Sequence, residues 1–430
     1  MIGRSVLCLA LAAPAGAEEA ALVLKGGRVV TVSGAVIESG SVVVAAGRIV
    51  AVGADVAAPP GAQVLDVAGK WIYPGLVNGL TSLGLTEITS VAGSMDTTEV
   101  GEINPNAKAW VALNPHSAHI AVARAGGLTA ALSAPEGGLV SGQSAVIRLA
   151  GSTPEAMTVR PGAALHVVFP SGRPPAGGPP SAEEREKKTF REQQKERGEN
   201  QRRQLDRLRT LLEDAKAHDA ALRAAAEGRA ERPKPDAVLE ALAPAARGEM
   251  PVLLRADAEE EIRAAVEFAA ARGLKLVVAG GLEAWRCADL LKEKEVAVLL
   301  KVLRLPRRRS DPYDAPFANA ALLHRAGVPF AIVTDDESFA RNLPYEAAMA
   351  RAFGLPAEAA LRAITLSPAE ILGVSARLGS IEAGKDADLV VATGDIMDAR
   401  TRVEAVYIQG APQPLDTRHT QLYQQFRERP

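Results

Sequence analysis

His116 and His119 stand three residues apart, close to one face of a helix predicted to start near Pro115. Two imidazoles at that spacing can share a metal ion, but no third ligand follows nearby, and capping or packing is the plainer role. The run GSIEAGK at 379–385 has the spacing of a phosphate-binding loop. Asp386 then stands where a Ser or Thr hydroxyl should reach the metal, and DLVV reads as a strand. A carboxylate there would repel phosphate, and no helix N-terminus is available to hold it. Gly137, Gly138 and Gly142 lack the βαβ setting of a dinucleotide site, and there is no G-x-S-x-G elbow. Cys287 lies on a helical pattern with Trp285, Ala288 and Leu291, with no His or Asn in a recognisable arrangement. A buried, inert thiol is expected. His166 and His324 are isolated and His419 lies in the polar tail, so each is expected to be an ordinary core or surface histidine.

The elements that must position any site fall into two textures. From Ala21 to about Trp71 the runs are short, β-branched and punctuated by glycine, as in SVVVAAGRIVAVG, which predicts a small antiparallel sheet with a hairpin turn near Ala46-Gly47. After Pro74-Gly75, apolar strand-like runs (LTAALSAP, ALHVVFP, PVLLRAD, LKLVVAGG, VAVLLKVL, VPFAIVTDD) alternate with helical stretches such as AEEEIRAAVEFAAARG. That alternation predicts parallel strands with crossover helices, and the number of repeats fits a (β/α)8 TIM-type barrel. The last segment, ARLGSIEAGKDADLVVATGD and RVEAVYIQG, returns to the first texture. Both chain ends are therefore expected to build one composite β-sandwich.

The expected organisation is a leader at 1–17, sandwich segments at 18–73 and 375–412, a barrel over 74–374 and a polar tail at 413–430. A charged helical insertion interrupts the barrel at about 171–245. It opens with a Gly/Pro stretch at 171–180, is dense in mixed charge from Ser181 to Arg209, and carries Leu205, Leu208, Leu212 and Ala215 at helical spacing. Interleaved charges predict a solvated helix rather than a nucleic-acid arm.

The chain of 430 residues is 47% hydrophobic, and 49 Lys+Arg against 51 Asp+Glu leave a net charge of −2. A large core is affordable in length, and no overall field favours nucleic acid or anionic lipid. Arg4, the apolar run 5–13 and the A-x-A site at Ala15-Gly16-Ala17 read as a secretory leader cleaved after Ala17. The expected location is exported, either periplasmic or secreted. Cys8 leaves with the leader, so the mature chain cannot form an internal disulfide. No later segment has the length and apolarity of a membrane span.

Several motifs together carry a resemblance. GKWIYPGLVNG at 69–79 resembles the entry to the barrel in the amidohydrolase superfamily, and LSPAEILGVSARLGSIEAGKDADLVV at 366–391 resembles its exit into the composite β domain. RIVAVG at 48–53 matches the early hairpin of the imidazolonepropionase-like and dihydroorotase-like members. The resemblance covers most of residues 21–411. It implies a barrel with its site at the C-terminal strand ends, and hydrolysis of non-peptide C–N bonds by a metal-bound hydroxide. The implied ligands of zinc or another divalent ion are H-x-H after the first barrel strand, one His each after the fifth and sixth, and an Asp after the eighth. In some members a Lys or Glu after the fourth strand adds to these.

This sequence departs from that pattern. Leu80 and Ser82 occupy the H-x-H positions, Arg255 the fifth-strand position and Ala279-Gly280 the sixth, while Asp335 keeps the eighth. No cofactor is therefore expected from the chain itself. Asp335 ends an apolar run and should project from a strand rim. Three roles stay open for it: an ion pair with Arg255, a catalytic base, or a cap for the following segment. Arg255 and Asp257 are the expected substrate-binding residues. Asp257, Asp336 and Glu283 also lie at predicted strand ends, where carboxylates can hold a hard cation or simply be solvated. The expectation is an exported amidohydrolase-like hydrolase acting on a small molecule, with a degenerate metal site. The alternative is an inactive binding protein that holds an anionic ligand through Arg255 and contacts a partner through its insertion.

Overall fold

The computed structural model describes residues 21–170 and 190–427. The leader expected at 1–17, the Gly/Pro stretch at 171–180 and the first part of the charged segment, 181–189, lie outside the described residues.

The chain opens with strands β1 (Leu22–Val29), β2 (Ile37–Ala45), β3 (Arg48–Gly53), β4 (Gln63–Asp66) and β5 (Trp71–Pro74). Ala46 and Gly47 turn β2 into β3 with φ of 48° and 73°. Positive φ at both central residues is the turn whose twist suits a hairpin, as the Ala-Gly pair implied. β1 pairs with β2 along its length, but its register shifts on both sides of Gly27. Its first half runs parallel to β4 and its second half to β5. The strand thus pairs with three others, and β4 branches from the sheet beside it.

Beyond β5 the chain enters the barrel at Gly75, where any side chain would overlap Thr129. Eight strands follow: β6 (Leu76–Thr81), β7 (Leu128–Ser133), β8 (Val140–Arg148), β9 (Thr158–Val168), β10 (Val252–Ala256), β11 (Leu276–Gly280), β12 (Ala297–Leu300) and β13 (Phe330–Ile332). They pair in that order. The two edges face each other, with the Asp335 amide donating to the Leu80 carbonyl at 3.1 Å and Asn78 Nδ2 donating to Thr334 Oγ1 at 2.7 Å. The expected (β/α)8 barrel is present with one difference: β8 runs antiparallel to both neighbours. The reason is covalent. A parallel crossover needs roughly a dozen residues or more, and the links at 134–139 and 149–157 are shorter, so the chain doubles back.

Alternation sorts the barrel side chains. Val77, Leu132, Val146, Ala164, Leu253, Val277, Leu299 and Val333 belong to one buried cluster inside the cylinder. Leu165, Val167, Val252, Leu254, Val278 and Val298 belong to the cluster between sheet and helices. This is the period of two expected of strands with both faces covered.

From Phe190 the charged segment forms the helix Phe190–Ala226, which with the helix Ala237–Ala246 lies between β9 and β10. Leu208, Leu212 and Ala215 are buried in the barrel's outer core and Leu205 packs against it. One stripe of this helix is therefore structural, and its charged faces remain in water. β14 (Leu389–Ala392), β15 (Val403–Ile408) and β16 (Ala411–Gln413) then return to the first sheet, β14 pairing with β5. Among the described residues, no helix is long and apolar enough to cross a membrane.

Candidate functional site

Inward positions on β9 and β10 near the C-terminal rim break the apolar pattern. His166 follows Ala164 and Arg255 follows Leu253 on the inner face, and both line a cavity of about 420 Å³ at the barrel mouth. Leu80, Ala279, Asp335, Glu136 and Ser141 line the same cavity. Glu136 comes from the short link between β7 and β8.

Arg255 and Asp335 form a bidentate pair across the mouth. Nη1 donates to Oδ2 at 2.6 Å and Nη2 to Oδ1 at 2.7 Å. Burial opposes the guanidinium charge, but the hydrogen bonds and charge of Asp335 outweigh it and hold Arg255 more firmly protonated than a free arginine. Asp335 takes this position with φ of 55°, a left-handed conformation that aspartate tolerates better than most residues. Of the three roles open to Asp335, the structure makes the ion pair. The cap belongs to its neighbour: Asp336 Oδ1 accepts from the amides of Ser338 at 2.7 Å and Phe339 at 3.2 Å.

The other expected residues are placed as follows. Ser82 donates its hydroxyl to the buried Glu337 at 2.6 Å. Asp257 accepts two bonds from Arg304, at 2.8 and 2.9 Å. Glu283 accepts from Arg308 and from the Glu259 amide, both at 2.9 Å. The three strand-end carboxylates thus have separate partners and do not converge. His116 lies in the turn before the helix Ala118–Ala125, while His119 lies in the helix with Nε2 2.9 Å from the Glu87 carbonyl. The predicted helix start near Pro115 is therefore three residues early, and the two rings do not share a helical face. Lys385 of the GSIEAGK run contacts Ser380 and Glu382 of the same turn. Cys287 is buried, and burial pushes its thiol up to about 11.

Sequence reasoning passed over two mouth residues. Glu136 belongs to a Pro-Glu-Gly-Gly link that offered no motif, and only the doubling back of β8 brings it over the mouth. Loss of solvent raises its carboxyl above the usual range; Arg255 opposes this, and Asp335, Glu337 and Asp336 add to it. His166 is buried with no partner for Nε2. Burial and then the Arg255 charge push its pKa down to about 3, so the ring is neutral. Alternation in ALHVV could have placed His166 inward.

The residues at the implied ligand positions do not fit a divalent ion. Leu80 and Ala279 have no donor atom, and the Ser82 hydroxyl is committed to Glu337. The Arg255 guanidinium cannot ligate, and its fixed charge would repel a cation. Both oxygens of Asp335 already serve Arg255. Gly280 has φ of 102°, and a side chain there would overlap the Asp257 carboxylate, so a histidine could not stand in that place without a local shift. Among the described residues, no three His, Cys, Asp or Glu side chains gather as a metal site needs.

Comparison with known proteins finds that the model of the Amidohydrolase family matches residues 208–412. An amidohydrolase of Hapsidospora irregularis, tasK, is 34% identical over 106 residues, 24% of this chain and 11% of that protein. The imidazolonepropionase of Thermoplasma acidophilum is 39% identical over 125 residues, 28% of each chain. The aligned part thus spans well under two thirds of either relative. Among solved structures, an amidohydrolase from Thermotoga maritima MSB8 superposes with a TM-score of 0.78 at 27% identity, covering 91% of this chain and 99% of that one. A molinate hydrolase shares the fold, with a TM-score of 0.55 at 16% identity, covering 93% and 95%.

Proposed function

We propose, since this chain belongs to the amidohydrolase superfamily, that it hydrolyses a non-peptide carbon–nitrogen bond of a small molecule held at the barrel mouth, and does so without the family's hydrolytic metal. Cyclic amides and N-acyl groups are the substrate classes the superfamily suggests. The observation that supports a metal-free site is the bidentate pair of Arg255 with Asp335.

Magnitudes then set the kind of activity. A catalytic metal lowers the pKa of its water from about 15.7 to about 7, which corresponds to about 12 kcal/mol of assistance to hydroxide formation. General acid–base help from side chains supplies roughly 10²–10⁴-fold. Turnover should therefore be slow and favour activated acyl groups. Asp335 is the water-orienting base of this proposal. Glu136, whose carboxyl is raised above the usual range by loss of solvent, is the proton carrier. Water oxygen bonds to the acyl carbon as its proton passes to a carboxylate. The C–N bond then breaks with its electron pair on nitrogen, which leaves with a proton. Arg255 keeps N–H groups beyond the two spent on Asp335, and these can face the developing oxyanion.

A second reading, an exported binding protein without catalysis, is favoured by the same pair, because both Asp335 oxygens are occupied. One assay separates them. Purified protein is given cyclic imides, N-acyl amino acids and amino-acid amides with and without a chelator. Turnover that survives chelation and is lost in Asp335→Asn supports the hydrolase. Ligand-dependent stabilisation with no turnover supports the binding protein. Turnover that requires added zinc contradicts both.

A further inference from the structure

On the reading that the barrel mouth is the small-molecule site, we infer that its ligand carries a protonated amine beside an amide, and that Glu136 is the residue that reads the amine.

Among the described residues, four ionisable groups line the mouth: Arg255, Asp335, Glu136 and His166. The Arg255 charge is met by Asp335 through two hydrogen bonds. His166 is neutral. Glu136 remains, and its carboxylate makes no hydrogen bond to the described residues. Among the described residues, the lining therefore carries one unmatched negative charge and no unmatched positive one. Arg255 is the largest single charge acting on Glu136, and Asp335, Glu337 and Asp336 act against it, so one guanidinium faces several carboxylates around this group. A carboxylate ligand would meet carboxylates here, whereas an ammonium group would complete an ion pair.

A second, independent observation points to the amide. His166 is only 8% exposed, lines the same cavity and has a ring nitrogen without a partner. A buried polar atom left unpaired is costly, and a neutral imidazole offers one donor and one acceptor. An amide N–H or carbonyl from a ligand complements it, and the remaining Arg255 N–H groups can take the carbonyl oxygen. Leu80, Leu253 and Ala279 leave apolar wall for a hydrocarbon side chain. The sum is a small amino-acid-amide-like molecule, in a cavity whose size suits such a ligand.

The test compares matched probes by titration calorimetry on the full chain: leucinamide (cation), N-acetylleucinamide (neutral) and N-acetylleucine (anion). Leucinamide should bind at least about tenfold more tightly than either acetylated probe, the scale of one charge-assisted hydrogen bond. Glu136→Gln should remove that preference while unfolding at the same temperature. Glu267→Gln, the same charge change on an outer helix, should leave it intact. N-acetylleucine binding as tightly as leucinamide, or a preference that survives Glu136→Gln, would overturn the inference while leaving the mouth as the site. Binding of none of the three would remove both the inference and the site on which it rests.

Discussion

Asp335 gives both of its carboxylate oxygens to Arg255, at 2.6 and 2.7 Å, while its own backbone amide donates to Leu80 on the first barrel strand. The pair therefore ties the fifth strand to the seam where the barrel closes.

Asp335→Asn replaces one acceptor with a donor and leaves the guanidinium half-paired. The two side chains keep 40% and 16% of their surface, so water shares the load. The expected loss is about 1–2 kcal/mol, below the 3–5 kcal/mol typical of breaking a fully buried pair. Replacing both partners together, Arg255→Met with Asp335→Asn, removes the half-paired guanidinium while keeping a residue that tolerates the left-handed backbone, and should recover most of that loss in urea unfolding. A double variant less stable than the single one would contradict a pairing role.

A second ionic group joins barrel to β domain. Arg148 at the end of β8 bonds to Asp386, which also accepts from Arg377 at 2.8 Å, and Asp388 lies beside them with its Oδ2 3.9 Å from Arg148 Nε and without a hydrogen bond. Burial pushes the Asp388 carboxyl up to about 6, with Arg148 opposing. The unfolded chain ionises this group near pH 4, so the fold gains from the proton at low pH and loses that gain as pH rises through 6. Relative to Asp388→Asn, the wild type should lose on the order of 2–3 kcal/mol between pH 4 and 6. Parallel stability curves for the two proteins across that range would refute the assignment.

Cys287 should resist alkylation. Its thiol is buried and raised to about 11, so almost no thiolate is present at neutral pH. Reaction with a thiol reagent at pH 7.5 should follow the rate of unfolding. Rapid labelling of native protein would show an accessible, activated thiol instead.

What the sequence made legible follows from what local patterns encode. The hairpin at Ala46-Gly47, the return of the chain end to the first sheet, and the buried stripe Leu208, Leu212, Ala215 are all matters of period and turn chemistry, and the structure has them. The direction of β8 was not legible, because a period of two carries no polarity; only the length of its links does. The His116 and His119 pair failed because the helix starts at Ala118, after its first member. Asp335 and Asp336 are adjacent, and no local rule says which of two neighbouring aspartates caps and which pairs. Glu136 was invisible for the same reason as β8: a loop residue reaches a site only when the long-range topology is known.

The most direct test of a mouth that works without a hydrolytic metal is the metal content of the protein itself. Protein purified without chelators and dialysed against metal-free buffer should carry far less than one zinc, iron or manganese per chain by elemental analysis, and its unfolding temperature should not move on addition of a chelator. One tightly held ion per chain, lost in Asp335→Ala, would contradict the account.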